Sequence, residues 1–139
     1  LRGRTVAVME RLVELCALMG GRYLVHGSPK QRSVPAGDTP EVALDRARGC
    51  LTRAARRAQA CGVTYCIEPL STRETDLINT VAQAVELVQQ ICSPAFKTMI
   101  DCSAAGQVEA EPVAALMSRW VPSGLVAAIS SFPGLGKRW

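Results

Sequence analysis

Two acidic residues stand where short apolar runs stop. Glu68 ends the run 63–67 and opens EPLSTRETD, and Asp101 ends the run 96–100 inside TMIDCSAAG. If both runs are strands, side chains alternate, so Thr64, Cys66 and Glu68 share one face while Val63, Tyr65 and Ile67 share the other. The same alternation groups Lys97, Met99 and Asp101. Two carboxylates aimed at one spot repel each other unless a proton or a cation lies between them. Hard oxygen donors of this kind suit Mg²⁺ or Mn²⁺. The competing reading is that each acid caps the helix that follows it. Glu74 and Asp76 fit capping better than Glu68, because they lie just before the apolar stripe that starts with Ile78 and Val81. Spacing alone leaves both readings open.

The elements that must position these acids alternate along the chain. Residues 4–19 place Val8, Leu12, Leu15 and Met19 on one helical stripe, ended by Gly20-Gly21. A short apolar run at 23–26 reads as a strand, followed by the loop GSPKQRSVPAGD. Thr39-Pro40-Glu41 has the chemistry of a helix start, with a capping hydroxyl, a proline in the first turn and an acid facing the dipole. That helix should run to about residue 60, where Gly62 stops it. A helix is expected over 76–92, with Ile78, Val81, Val85 and Val88 inward and Ser93-Pro94 as its end. Pro112 opens another that carries Val113, Leu116, Met117 and Trp120, and 125–129 completes a set of four strands. Strands separated by single helices must pair in parallel. A doubly wound sheet or a (β/α)₈ barrel satisfies this, but a whole barrel takes about 250 residues. With 139 residues, the chain has room for about half of one.

Composition narrows the function classes. No apolar run approaches the ~18 residues of a membrane helix. The N-terminal stretch carries Glu10, Arg11 and Glu14, so it reads as an amphipathic helix and not as a secretory signal. The chain begins without Met, as a fragment or a processed product would. The net charge of +4 gathers in Arg46, Arg48, Arg53, Arg56 and Arg57. With aromatics at 4%, a solvated helix face is expected there and a nucleic-acid platform is not. Six cysteines include no CxxC pair and show no ligand spacing with the single histidine, His26. Reduced thiols and a cytoplasmic location are expected, without zinc or disulfides. Two other stretches resemble anion-binding motifs. Gly134-Leu135-Gly136-Lys137 lacks the strand and helix of a phosphate loop. Ser28, Lys30 and Arg32 in GSPKQR could hold an anion, but a plain polar loop is the simpler reading.

The phrases YLVHGSPKQR, CIEPLSTRETDLINT and TMIDCSAAG resemble the xylose isomerase-like barrel superfamily of sugar phosphate isomerases and epimerases, nearest its ketose 3-epimerase branch. The resemblance covers most of residues 15–126. It implies an α/β fold, a partial (β/α)₈ TIM barrel of about four parallel strands, occupying 1–130, with 131–139 as an irregular tail. It implies that Glu68 and Asp101 bind a catalytic divalent metal (Mn or Mg), joined in relatives by a histidine on the next strand and a glutamate on the last. It further implies catalytic roles for Glu68 and Glu74, and substrate binding by His26, Ser28 and Glu74 at one face of the barrel. The function implied is metal-dependent aldose–ketose isomerisation or ketose 3-epimerisation of a sugar or sugar phosphate. The departures are specific. Ala104 stands where many relatives carry a substrate-binding histidine, and Ala128-Ile129-Ser130 stands where relatives read roughly His-Val-His. The last glutamate falls beyond this chain, so two of the four expected ligands are missing from it. The alternatives are therefore a non-catalytic remnant or interaction module of this fold and, more weakly, a type II apurinic endonuclease-like repair enzyme. A half-barrel leaves two strand edges open, so self-association through them is expected.

Overall fold

The structure, a computed structural model, describes residues 2–130. The expected tail at 131–139 lies outside the described residues. Strands β1 (Tyr23–His26), β2 (Thr64–Ile67), β3 (Phe96–Asp101) and β4 (Val126–Ser130) form one sheet in the order β1-β2-β3-β4. Each neighbouring pair is parallel. The helices are α1 (Arg2–Leu18), α2 (Pro40–Cys61), α3 (Val81–Ile91), α4 (Cys102–Val108) and α5 (Val113–Trp120). This is the expected α/β architecture of a partial TIM barrel, with strand order following chain order as one βα unit succeeds the next.

Local chemistry explains the boundaries. Thr39 Oγ1 accepts from Val42 N at 3.4 Å, Pro40 fills the first turn, and Gly62 closes α2 at φ 69°, where a side chain would be strained. Helix α3 starts later than the expected residue 76. Thr80 and Gln83 make a reciprocal capping box, worth about 1 kcal/mol, that fixes the first turn at Val81. Residues before it form turns, and Ile78 is buried with φ 61°, a left-handed conformation that costs a β-branched residue about 1–3 kcal/mol. The short helix α4 went unforeseen, since CSAAGQV lacks the length for a clear apolar period.

The core lies between the sheet and its helices. Tyr65, Ile67 and Phe96 from the strands meet Leu51, Ala54, Ala58 and Leu87 from α2 and α3. A second cluster joins Ile100 and Val126 to Val81, Val85 and Leu116. Burying each large apolar side chain here stabilises the fold by roughly 1.5–3 kcal/mol. Helix α1 departs from expectation. Its buried residues are Val6, Met9 and Val13, whereas Val8, Leu12, Leu15 and Met19 are exposed. The helix carries two apolar stripes; the one with Met9 and Val13 packs into the core with Leu51, Ala54 and Ala58 of α2, and Glu10 and Glu14 pair with Arg53 and Arg57 at the rim of that contact. Arg46 and Arg48 pair with Asp38 and Asp45. This is the solvated helix face expected for the arginine cluster, and such exposed pairs contribute little stability.

Candidate functional site: a carboxylate pair at the strand ends

Register decides what Glu68 and Asp101 face. Val25, Cys66 and Lys97 are in register across β1, β2 and β3, so Glu68, two residues after Cys66, continues the face that the helices do not cover. Asp101 lies on the same face two residues after Met99. The pairing of β3 with β4 shifts between Thr98 and Met99: Thr98 is opposite Val126, but Met99 is opposite Ala128. Ala127 is thereby passed over, a bulge that turns β4 by one residue. Its consequence is chemical. Ser130, and not Ile129, stands opposite Asp101, and the Ser130 hydroxyl donates to Asp101 Oδ2 at 2.7 Å.

Asp101 is also bonded on its other oxygen. Oδ1 accepts from Ala104 N at 2.7 Å, making Asp101 the cap of α4. The capping alternative is thus realised for Asp101, together with its place beside Glu68. Glu68 caps nothing. Its carboxylate rests against Gly27 at the end of β1, where an added Cβ would lie 2.6 Å from Oε2. Only glycine leaves room there for the carboxylate in this position. The Glu68 carboxyl is pushed above its ordinary range, first by burial, then by the charge of Asp101, with Glu74 adding to it and Arg32 opposing it. The charge of Asp101 thus reaches Glu68 across the ends of the two strands.

The other sequence-selected residues are dispersed. Glu74 is exposed and turns back on its own loop, accepting from Ser71 N at 3.1 Å and Ser71 Oγ at 2.7 Å. Asp76, expected to cap a helix, accepts from Val34 N instead and fastens the loop before α2. Ser28 is exposed, with φ 46°, and opens a 3₁₀ turn without a side-chain capping bond. His26 lies on the helix-packed face with Tyr65 and Ile67, its Nδ1 2.6 Å from the Tyr65 hydroxyl. Burial, with the Arg32 charge adding to it, pushes the His26 imidazole down to about 4, so it is neutral at physiological pH. The same burial raises the Tyr65 hydroxyl, and it lifts the Cys66 thiol to about 11. Arg32 is not a loop cation awaiting an anion: it is buried, and its Nη atoms donate to backbone carbonyls. Sequence reasoning passed over Gly27, and only its place at the end of a strand before a turn could have drawn notice to it.

The donor chemistry bears on a metal. Glu68 and Asp101 are hard oxygen donors whose mutual repulsion a divalent cation would relieve, and Ser130 adds a hydroxyl beside them. Among the described residues, no group of three or more His, Cys, Asp or Glu is placed to hold a metal ion. The residues present fit one part of a cation site and not a whole one. All six cysteines are free, and no helix among the described residues is long and apolar enough to cross a membrane.

Known proteins share this framework. The chain is 43% identical over 47 residues to D-psicose 3-epimerase from Ruminiclostridium cellulolyticum, a stretch covering 34% of this chain and 16% of that protein. D-psicose 3-epimerase with D-tagatose from Clostridium cellulolyticum H10 superposes with a TM-score of 0.82 at 21% identity, over 98% of this chain and 49% of that one. A structure of L-ribulose 3-epimerase gives 0.81 at 21% identity, over 98% of this chain and 47% of that one. The chain thus spans about half the length of the solved structures it matches. The family model described as xylose isomerase-like TIM barrel matches residues 1–123, nearly the whole of the helix–strand succession described above. The chain belongs to the xylose isomerase-like TIM barrel family.

Proposed function

We propose that this chain carries the carboxylate-bearing half of a sugar isomerase or epimerase site, with ketose 3-epimerisation as the reaction. The observation that carries this reading is the pair itself: Glu68 and Asp101 end adjacent parallel strands on the face the helices leave open, and the charge of Asp101 helps to raise the Glu68 carboxyl. Catalytic groups of TIM barrels stand at that carboxyl end. The similarity to D-psicose and L-ribulose 3-epimerases supports a ketose, free or phosphorylated, as the substrate class.

Epimerisation at the carbon next to a carbonyl needs a base that removes the carbon-bound proton and an acid that returns one to the other face. Glu68 suits the first task, because a carboxyl raised by burial is a stronger base than an exposed one. Asp101 holds its place through its bonds to Ala104 N and Ser130, which fix its oxygens relative to β4. Glu74, at the surface of the loop after β2, is assigned to substrate hydroxyls, with Ser28 on the loop after β1. His26, expected to bind substrate as well, is left out of this site, because its ring turns to the helix-packed face and is engaged with Tyr65. A divalent cation, Mn²⁺ or Mg²⁺, when held by Glu68 and Asp101 and completed by residues beyond those described, would polarise the sugar's carbonyl. The test is exchange of the C3 proton of D-fructose or D-ribulose in D₂O with Mn²⁺, followed by NMR. Loss of the C3 signal in wild type, abolished in Glu68→Gln, is the expected result; no exchange by wild type contradicts the proposal.

A second reading rests on its own observation. Both Asp101 oxygens are already bonded within the chain, so the fold could keep the acid for capping after the chemistry is gone. The chain would then be an interaction module. Its edge strands β1 and β4 and the exposed Leu12, Leu15 and Leu18 of α1, with Met19 just after it, support self-association in either case.

A further inference from the structure

We propose that Arg32 is the positioning residue for Glu68, a buried cation that locks three separate loops around the carboxylate; this rests on the reading of Glu68 as a site residue. The geometry is specific. Arg32 Nη1 donates to the Glu68 carbonyl at 2.6 Å, to the Gly27 carbonyl at 3.1 Å and to the His26 carbonyl at 3.4 Å. Nη2 donates to the carbonyls of Leu77 at 2.8 Å and Ile78 at 3.1 Å. One side chain therefore ties the end of β1, the end of β2 and the turn before α3.

Each tie bears on the carboxylate. Gly27 is the wall against which Glu68 Oε2 rests, and Arg32 holds that wall by its carbonyl. The Glu68 carbonyl fixes the backbone from which the side chain departs. Ile78 keeps a left-handed backbone that its branched side chain disfavours, and such a conformation persists only where neighbours over-determine it. Its carbonyl accepts from both Arg32 and Leu70 N, which ties the turn back to the segment that follows Glu68.

The chemistry of the residue explains why a guanidinium is used. Five carbonyls arrive from two sides, and a planar fork with fixed donor directions meets them where an ammonium would not. Arg32 is 7% exposed and has no ion pair among the described residues, and its Nε is without a partner. A fold that needed only satisfied carbonyls could leave them to water. Burial lowers the guanidinium to about 10 while the charges of Glu68 and Glu74 oppose that fall, so it stays cationic at neutral pH. The positive charge opposes the rise that burial and Asp101 impose on the Glu68 carboxyl, while its hydrogen bonds go to backbone carbonyls. Among the described residues neither Glu68 carboxylate oxygen takes a hydrogen bond, which leaves both for substrate or cation.

The test compares wild type with Arg32→Lys, which keeps the charge, and Arg32→Met, which removes it. Melting curves followed by circular dichroism establish that each variant folds. The contact between Gly27 Hα and the Glu68 side-chain protons, with the carbonyl ¹³C shifts of Gly27, Glu68 and Leu77, reports the position of Glu68 directly by NMR. Mn²⁺ titration reports its use. Arg32→Lys is expected to melt cooperatively, to lose the Gly27–Glu68 contact, and to bind Mn²⁺ about 10- to 100-fold more weakly. Should Arg32→Met fail to fold, Arg32→Lys and partial rescue of Arg32→Ala by added methylguanidinium give the answer. A folded Arg32→Lys with unchanged carbonyl shifts and an intact contact overturns the proposal. Absence of Mn²⁺ binding in wild type overturns the cation reading alone, and the NMR contact still decides the role of Arg32.

Discussion

Ser130 donates its hydroxyl to Asp101 Oδ2 at 2.7 Å only because the β3–β4 register slips by one residue between Thr98 and Met99. Without that slip Ile129 would stand opposite Asp101, and the acid would face an apolar side chain. The bulge therefore sets the polarity of the strand-end site, as bulges near functional sites often do.

Replacing Ser130 by alanine removes a donor to a charged, half-buried acceptor. The expected loss is about 1–2 kcal/mol, readable as a lower urea midpoint at unchanged slope. An unchanged midpoint contradicts the bond.

Gly27→Ala separates packing from chemistry. The new Cβ meets the far end of a flexible side chain, Glu68 Oε2, and no backbone atom within 4 Å. Stability should change by less than about 1 kcal/mol, while the carboxylate is displaced and any cation or substrate binding that depends on it is lost. Thermal melting and Mn²⁺ titration of one sample check both halves; equal binding by both proteins refutes the contact.

His26 makes the fold pH-sensitive on the acid side. Its folded value near 4 lies below the ordinary 6.5, so between these values the unfolded chain takes up a proton that the folded chain refuses. The stability contributed by neutral His26 is complete above pH 6.5 and is lost as pH falls toward 4, at up to about 1.4 kcal/mol per pH unit. As the sole histidine, its imidazole signals are easily followed in a pH titration. A midpoint near 6.5 contradicts the buried placement against Tyr65.

The exposed row on α1 gives a prediction about assembly. Leu12→Lys with Leu15→Lys should leave the melting temperature nearly unchanged, since both residues are exposed, yet shift sedimentation toward the monomer. A wild type that stays monomeric up to high concentration removes the basis for self-association.

Much of this fold was legible in the sequence for physical reasons. The strand at 23–26 and the helix opened by Thr39-Pro40 carry local signals that tertiary packing did not override. Periodicity is ambiguous on α1, where two apolar stripes compete and the long-range packing of Met9 and Val13 against α2 distinguishes them. The start of α3 is not legible because Ile78 continues the apolar stripe of the helix while standing, buried, in the turn before it. At the site, the strand-end positions of Glu68 and Asp101 could be read from alternation. The close approach of Gly27, the buried fork of Arg32 and the bulge before Ser130 depend on contacts across 29 to 46 residues, which no local pattern encodes.

The central claim is that Glu68 and Asp101 act together on a cation. Calorimetric titration of Mn²⁺ into wild type, Glu68→Ala and Asp101→Asn tests it most directly. The account predicts saturable binding to wild type that is lost in both variants. Absence of binding to wild type, or equal binding to all three, would contradict it.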